Sequence, residues 1–432
     1  MPATVNSAGY DLRLTAVKQL LEAKGLHASS ITTVAYDEVY EYPFNNFLFK
    51  VDLSSPTSSS TFLGTQPGTE AAPSGGLTSF ILKLCNTEVD MNQANRVQNN
   101  VAVQYLVRQS MKKAGMPLLA PAIYAWGLGS LAKEEGHSDC PPWIISEYKP
   151  GVDVDTVFST LQTSEKQQVL KDVAAALAAI QKAELPPTVD KFGGLTFDKR
   201  GDMVSCEAAL GKGEPTVSYL KRKRHAVMAA LSSAEKSPII QGWKQRGIDQ
   251  RIKRFLEDGG LETVLSRVNI HQKNLIHADF TLNNMMLDTE TKRLTAIVDF
   301  DWSYVSNPVD EFISGLTDFG GNIGNERHKF HKSILLGSFD IIPSSAKGDE
   351  KSKSEWETAK IWNEAMKTQG CIRPCEIEGV EQVFDLMKFQ KLLCPFQLSS
   401  ERELGEMTEE AKAELRAKTE AGLVEWLKQH GY

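Results

Sequence analysis

Two stretches of this chain carry side chains suited to phosphate and a hard cation. Leu275-Ile-His-Ala-Asp-Phe-Thr-Leu-Asn-Asn-Met-Met-Leu287 holds His277, Asp279 and Asn284, and Leu294-Thr-Ala-Ile-Val-Asp-Phe-Asp301 holds Asp299. Asp279 is a carboxylate that can orient a hydroxyl and accept its proton. Asn284 offers a neutral oxygen and Asp299 an anionic one, the ligand types that Mg2+ prefers. Asp299 closes the apolar run from Leu294 to Val298, so a buried strand is expected to hold it rigidly. His277 shares the catalytic segment and is expected to brace it rather than to react. A lone Asp or Asn in a loop is usually a turn residue. The four together, between two apolar strands, point instead to phosphoryl transfer, which needs positioning, charge neutralisation and a proton acceptor.

These residues also carry a family resemblance. His277-Ala-Asp-Phe-Thr-Leu-Asn-Asn284 resembles the His-x-Asp-x-x-x-x-Asn catalytic loop of the aminoglycoside phosphotransferase and choline kinase superfamily. Ile297-Val-Asp-Phe-Asp301 resembles its metal-binding strand end, where the second acidic residue is more often Glu. The resemblance runs from about residue 30 to about residue 430. It implies a bilobal, protein-kinase-like fold that uses ATP and Mg2+, with Asp279 as base and Asn284 and Asp299 as metal ligands. Ile81-Leu-Lys-Leu84 is similar to the strand whose lysine contacts the nucleotide phosphates, which implies that role for Lys83. Ile144-Ile-Ser-Glu-Tyr-Lys-Pro-Gly151 resembles the hinge that bonds adenine through main-chain groups, here near Glu147, Tyr148 and Lys149. Glu41-Tyr-Pro-Phe-Asn-Asn-Phe47 stands where the phosphate-covering turn belongs, with Asn45 and Asn46 as its polar residues and no glycine. Phe192-Gly-Gly-Leu-Thr-Phe-Asp198 and the tail around Arg373-Pro374 and Pro395-Phe396 look like the fungal-type branch of the family. One departure stands out. The helix after the lysine strand normally supplies a glutamate that pairs with the lysine, and here Asn100 holds that place, with Gln98 nearby. Glu88 is a candidate substitute.

The elements that must position these groups follow from hydrophobic periodicity. Helical spacing covers 11–24, 91–114 (Val97, Val101, Ala102, Tyr105, Leu106), 164–183, 215–234, 247–269, 354–367, 381–393 and 408–430. Strand-like runs cover 31–36, 47–53, 79–84, 123–126 and 143–148. The Ser/Thr/Gly/Pro-rich stretch 54–78 has almost no large apolar residue and is expected to be a mobile loop. Thr408, followed by Glu409 and Glu410, suits the start of the last helix. These patterns predict an α+β chain with a β-rich N-lobe over 1–146, a hinge at 147–151 and a helical C-lobe over 152–432 containing the catalytic segment 275–301.

Composition bounds the partners. The 432-residue chain is 41% hydrophobic and 24% charged, with a net charge of −7, which argues against a general nucleic-acid binder. The start has no basic or apolar leader, and the longest uncharged run is broken by Pro and Gly, so a cytoplasmic protein without a membrane span is expected. The six cysteines are scattered and read as free thiols. Lys221-Arg-Lys-Arg-His225 resembles an anion-binding or nuclear-import patch, although a solvated helix face is the commoner meaning. Asp301 and Asp310, with Glu311 and Asp318, are candidates for holding a cationic substrate. The reading is a kinase of a small-molecule hydroxyl, amino-bearing by resemblance. Asn100 motivates an alternative, a nucleotide-binding pseudokinase with a regulatory or scaffolding role.

Overall fold

The structure is a computed structural model of the chain, and it describes residues 6–34, 40, 42–58, 60–129, 140–209, 213–324, 329–344 and 347–432. Ala35 and Tyr36 of the expected first strand and Glu41 of the expected turn lie outside the described residues. The chain divides into two compact units, each interrupted in sequence. The first comprises 1–211, 274–305 and 365–371, and the second 212–273, 306–364 and 372–432. Both classes of secondary structure are present in the α+β arrangement that the periodicity predicts. Among the described residues no helix is long and apolar enough to cross a membrane.

The first unit begins with α1 (Tyr10–Ala23), β1 (Ala28–Val34), β2 (Asn46–Leu53), β3 (Ser79–Cys85), α2 (Arg96–Lys113), β4 (Ile123–Gly127) and β5 (Trp143–Glu147). Their five strands form one antiparallel sheet of order β1-β2-β3-β5-β4. Alternation along a strand sends successive side chains to opposite faces. On β3, Phe80, Leu82 and Leu84 are fully buried with Phe49 and Val51 of β2 and with Ala16, Val17, Leu20 and Leu21 of α1. The other face of the sheet packs Cys85, Ile123 and Ile144 against Val97 and Val101 of α2. Lys83 lies between Leu82 and Leu84, so it points to the α2 side.

Within the stretch 54–78, the described residues form a strap tied to the sheet and to α2. Its ends are held at Leu53 N to Thr78 O and Thr57 N to Leu77 O, 2.8 and 2.9 Å, and a bridge joins Leu63 to Ala71. Gln66 grips both main-chain groups of Trp126, whose indole N–H donates to Pro67 O. Glu70 N donates to Ile123 O, and its carboxylate pairs with Arg108 and Lys112 of α2. Gly68, at φ +73°, lets the strap touch Val101, where a Cβ would come within 2.5 Å. A segment with few apolar residues is thus held by polar partners on α2 and β4. Hydrophobic periodicity does not register such ties.

The unit continues with β6 (Val152–Asp153), α3 (Val154–Phe158), α4 (Thr163–Gln181) and the hairpin of β7 (Gly194–Phe197) with β8 (Met203–Cys206). It then includes β9 (Asn274–Ile276), β10 (Met285–Leu287), β11 (Leu294–Ile297) and β12 (Tyr304–Ser306). β10 pairs with both β11 and β6, and β9 pairs with β12. The β7–β8 hairpin falls in Phe192–Asp198 and beyond, where periodicity predicts no element.

The second unit is built from helices: α5 (Tyr219–Lys236), α6 (Ile248–Glu257), α7 (Gly260–Val264), α8 (Val309–Ser314), α9 (His331–Leu336), α10 (Glu350–Gln369), α11 (Val380–Leu393), α12 (Glu401–Glu406) and α13 (Glu409–Gln429), the end of α10 belonging to the first unit. Its core stacks Phe255 edge-on against Phe389, Trp426 and Tyr432, with centroids 5.0, 5.2 and 5.3 Å away. The single helix expected over 247–269 is two helices. Gly259 adopts a left-handed conformation at φ +78° and ends the first of them. Thr408 caps α13 through its hydroxyl, which accepts from Ala411 N at 3.2 Å.

Candidate active site

The site lies wholly in the first unit. It is assembled at the ends of β3, β9 and β11 and on the inner face of α2. Two of its residues break the usual backbone rule. Ala278 has φ +67° and Asp299 φ +61°, left-handed conformations that non-glycine residues seldom adopt. They bracket the catalytic segment, and such strain is concentrated where geometry serves function.

Asn284 organises that segment. It ends a short 3-10 turn just before β10 and is buried. Its side-chain N–H donates to Asp279 twice, to the main-chain carbonyl and to Oδ2, both at 2.9 Å. Among the described residues its amide oxygen receives only a long 3.5 Å contact from Asn283. Asp279 itself is half-buried. His277 is fully buried, packed against Phe300 and Phe280, and its Nε2–H donates to Val298 O at 3.1 Å. Burial lowers its pKa to about 4, outweighing the main-chain bond that would raise it. A neutral imidazole with no exposed surface thus ties this segment to Val298 at the end of β11. The Ser303 hydroxyl adds a second tie, donating to His277 O at 3.1 Å.

Asp299 meets the requirements of a cation ligand. Its Oδ1 is buried with no hydrogen-bond donor among the described residues, and Lys83 Nζ lies 3.7 Å away. Burial raises its pKa, and repulsion from Asp301 and Asp279 adds to the rise against the pull of Lys83. A carboxylate strained toward protonation suits Mg2+, which prefers oxygen ligands and would supply the missing positive charge.

Asp301 overturns its expected part. Instead of facing a cationic substrate it is 2% exposed and accepts four hydrogen bonds: Lys83 Nζ at 2.5 Å, Asn100 Nδ2 at 2.6 Å, Asn46 Nδ2 at 2.6 Å and Arg96 Nη2 at 3.0 Å. Burial works against its charge, yet Lys83 and Arg96 hold its carboxyl well below the usual range. The same burial opposes the charge on Lys83, and Asp301 and Asp299 more than restore it. Asn100 therefore donates to a carboxylate and does not accept from Lys83. Gln98 turns away, taking the Thr196 hydroxyl, and Glu88 is exposed.

Asn45 and Asn46 belong to the same cluster. The Asn45 carbonyl accepts from Asn86 N and from Arg96, at 2.9 and 2.8 Å, and the Asn46 amide spans Asp301 and Arg96. At the expected hinge, the Glu147 carboxylate accepts from Ala122 N at 3.0 Å and pairs with Lys149 and Arg108. Lys50 sits over the Tyr148 ring. The main-chain groups of Tyr148 and Lys149 take no hydrogen bond among the described residues, which leaves them able to meet a planar base.

Asp310 is likewise corrected. In the second unit it is 3% exposed and held by Tyr219 Oη, Ser306 Oγ and Lys223 Nζ at 2.6, 2.6 and 2.7 Å. Three of the five residues of the basic run are buried or paired: Lys223 holds Asp310, Arg222 is buried, and Arg224 pairs with Glu262, while Lys221 and His225 are exposed. Sequence reading missed Arg96, which is 1% exposed, although a lone arginine opening an apolar helix is a visible signal.

A comparison with curated protein sequences finds no significant match. Among solved structures, the chain is similar to a protein of Ralstonia eutropha JMP134 proposed to be an aminoglycoside phosphotransferase. That pair shares 14% identity over 96% of this chain and 98% of the other, with a TM-score of 0.44. It is also similar to APH(2")-IIa in a complex with streptomycin and ATP, at 13% identity over 82% and 97% with a TM-score of 0.42. A third likeness is to Plasmodium vivax ethanolamine kinase, at 10% identity over 91% and 82% with a TM-score of 0.37. Such loose likenesses transfer no substrate to this chain. The sequence itself matches one family model over residues 68–329, a span that contains Lys83, the hinge, Asp279, Asn284 and Asp299, and the chain belongs to the phosphotransferase enzyme family.

Proposed function

We propose that this protein is an ATP- and Mg2+-dependent kinase that phosphorylates a hydroxyl of a small, amino-bearing molecule in the cytoplasm. Family membership supports the reaction class. The observations that carry the rest are the pairing of Asn284 with Asp279 and an Asp299 oxygen that lacks a donor among the described residues. In this reading adenine meets the main chain at Tyr148 and Lys149, the phosphates lie toward Lys83, and Asn284 and Asp299 hold Mg2+. The ion's contribution is to neutralise charge on the transferring phosphoryl group. Asp279 orients the acceptor hydroxyl and takes its proton as the acceptor oxygen bonds to the γ-phosphorus and the bond to ADP breaks. Within the proposal the N-lobe is 1–146, the hinge 147–151 and the C-lobe 152–432.

The pseudokinase alternative arose from Asn100, and Asp301 now supplies the carboxylate that Asn100 lacks. The test is ADP release from Mg-ATP across a panel of amino alcohols, aminoglycosides and sugar alcohols. Turnover on at least one member is expected, reduced by about 10²-fold or more in Asp279→Ala with nucleotide binding retained. No turnover on any member, with ATP still stabilising the protein, supports the scaffold.

A further inference from the structure

We propose that Asp301 is the residue that positions Lys83, and that α2 works by gripping Asp301 instead of supplying a carboxylate of its own. The inference rests on the reading above, in which Lys83 faces nucleotide phosphates. An ammonium needs a fixed counter-charge to be aimed at a phosphate. In this chain the partner comes from the segment after β11, 218 residues further along than Lys83.

The geometry gives Asp301 no other task. A carboxylate has about four lone-pair directions, and here Lys83, Asn100, Asn46 and Arg96 fill them. None is left for a metal or a substrate. Lys83 has three N–H groups. One is fixed on Asp301, and Asp299 at 3.7 Å is too distant for a hydrogen bond. Among the described residues the other two N–H groups meet no acceptor, so they can be directed at an anion.

Arg96 extends the arrangement. It also donates to Asn86 O at 3.0 Å and to Asn45 O at 2.8 Å, which places the turn before β2, the start of α2 and the counter-ion of Lys83 in one buried cluster. Where the family pattern swings a helix carboxylate against the lysine, this chain holds the carboxylate next to the metal-side aspartate and fastens the helix to it.

The experiment compares Asp301→Asn, Asn100→Glu and the double variant with the wild type, measuring dissociation constants for Mg-ATP and for adenosine. Adenosine shares the base but lacks the phosphates that Lys83 would contact. Asp301→Asn is expected to weaken Mg-ATP binding by about 30-fold and adenosine by less than about twofold. Asn100→Glu placed on Asp301→Asn, which returns a carboxylate to the helix, is expected to recover Mg-ATP binding to within about fivefold of wild type. Equal losses for both ligands, an unchanged Mg-ATP constant, or no recovery in the double variant overturns the inference while leaving the kinase reading intact. A folded wild type that binds neither ligand overturns the kinase reading first. Should Asp301→Asn not fold, Asn100→Ala removes one donor from Asp301 and carries the same comparison, with an expected loss of about threefold for Mg-ATP alone.

Discussion

The strap over 54–78 makes a quantitative claim: its order depends on Glu70. Arg108 Nε and Nη2 meet the two Glu70 oxygens at 3.1 and 2.9 Å, with side chains 7% and 19% exposed. Glu70→Gln keeps the shape, removes the charge and turns one N–H acceptor into an N–H donor. Each charge-assisted bond of this kind is worth roughly 1.5 to 3 kcal/mol when buried. The Lys112 contact is at the surface and adds little. Discounting for the exposed part of Glu70 leaves a loss of about 2 kcal/mol, which raises the local opening constant about 30-fold. Hydrogen exchange of peptides across 60–77 reads this directly, because Glu70 N, Ala72 N and Leu77 N are all bonded in the closed strap. Glu70→Gln should speed exchange there about 30-fold and leave α13 unchanged. Glu262→Gln, which breaks a pair exposed on both sides, should change exchange in its own helix less than about twofold. The reasoning fails if the wild-type strap exchanges like free chain, or if Glu70→Gln changes it by less than about threefold.

Further outcomes follow from buried groups. His277 has its pKa lowered to about 4 from an unfolded value near 6.5, so the unfolded state binds the extra proton. Stability is complete above pH 6.5 and is lost as pH falls toward 4, by about 2 kcal/mol at pH 5. Denaturant unfolding across this range should show that slope in wild type and lack it in His277→Gln, whose amide can still reach Val298 O. Lys223→Met leaves Asp310 buried without its cation and should cost about 3 kcal/mol, largely recovered by adding Asp310→Asn. A cost under about 1 kcal/mol in the same unfolding assay counts against the pair's importance. Gly151 sits at φ +144° with a would-be Cβ 2.9 Å from Leu287 O and Thr295 Oγ1, so Gly151→Ala should lower stability by about 2 kcal/mol and disturb the β6–β10 pairing.

Much of the site was readable because it is local. Alternation on β3 is a period-two signal, and it places Lys83 opposite Leu82 and Leu84 without any tertiary knowledge. The spacing from His277 to Asn284 spans one turn and one strand end, so one segment contains both Asp279 and the amide that holds it. What escaped is non-local. Asp301 meets Lys83 across 218 residues and Arg96 across 205, and nothing in the neighbourhood of Asp301 distinguishes a buried counter-ion from a substrate carboxylate. Asp310 shows the same blindness, since two of its three donors, Tyr219 and Lys223, come from α5. The break at Gly259 was hidden by apolar spacing that continues across it, and the strap by its poverty in apolar residues.

Helix α2 has a consequence beyond the site. Most of its buried polar side chains reach a partner: Asn99 spans Ser303 O and Leu195 N, Gln104 holds Pro121 O, and Arg108 holds Ala120 O, while Arg96 and Asn100 hold Asp301. A helix of this kind tolerates change as poorly as a hydrophobic core, though its composition resembles that of a surface. In a saturation scan of α2, conservative swaps such as Asn99→Asp or Arg96→Lys should prove nearly as damaging as radical ones, because each position is matched to a donor pattern and not to a volume. Drift along this helix is therefore confined to the few outward positions, such as Lys112 and Lys113 near its end.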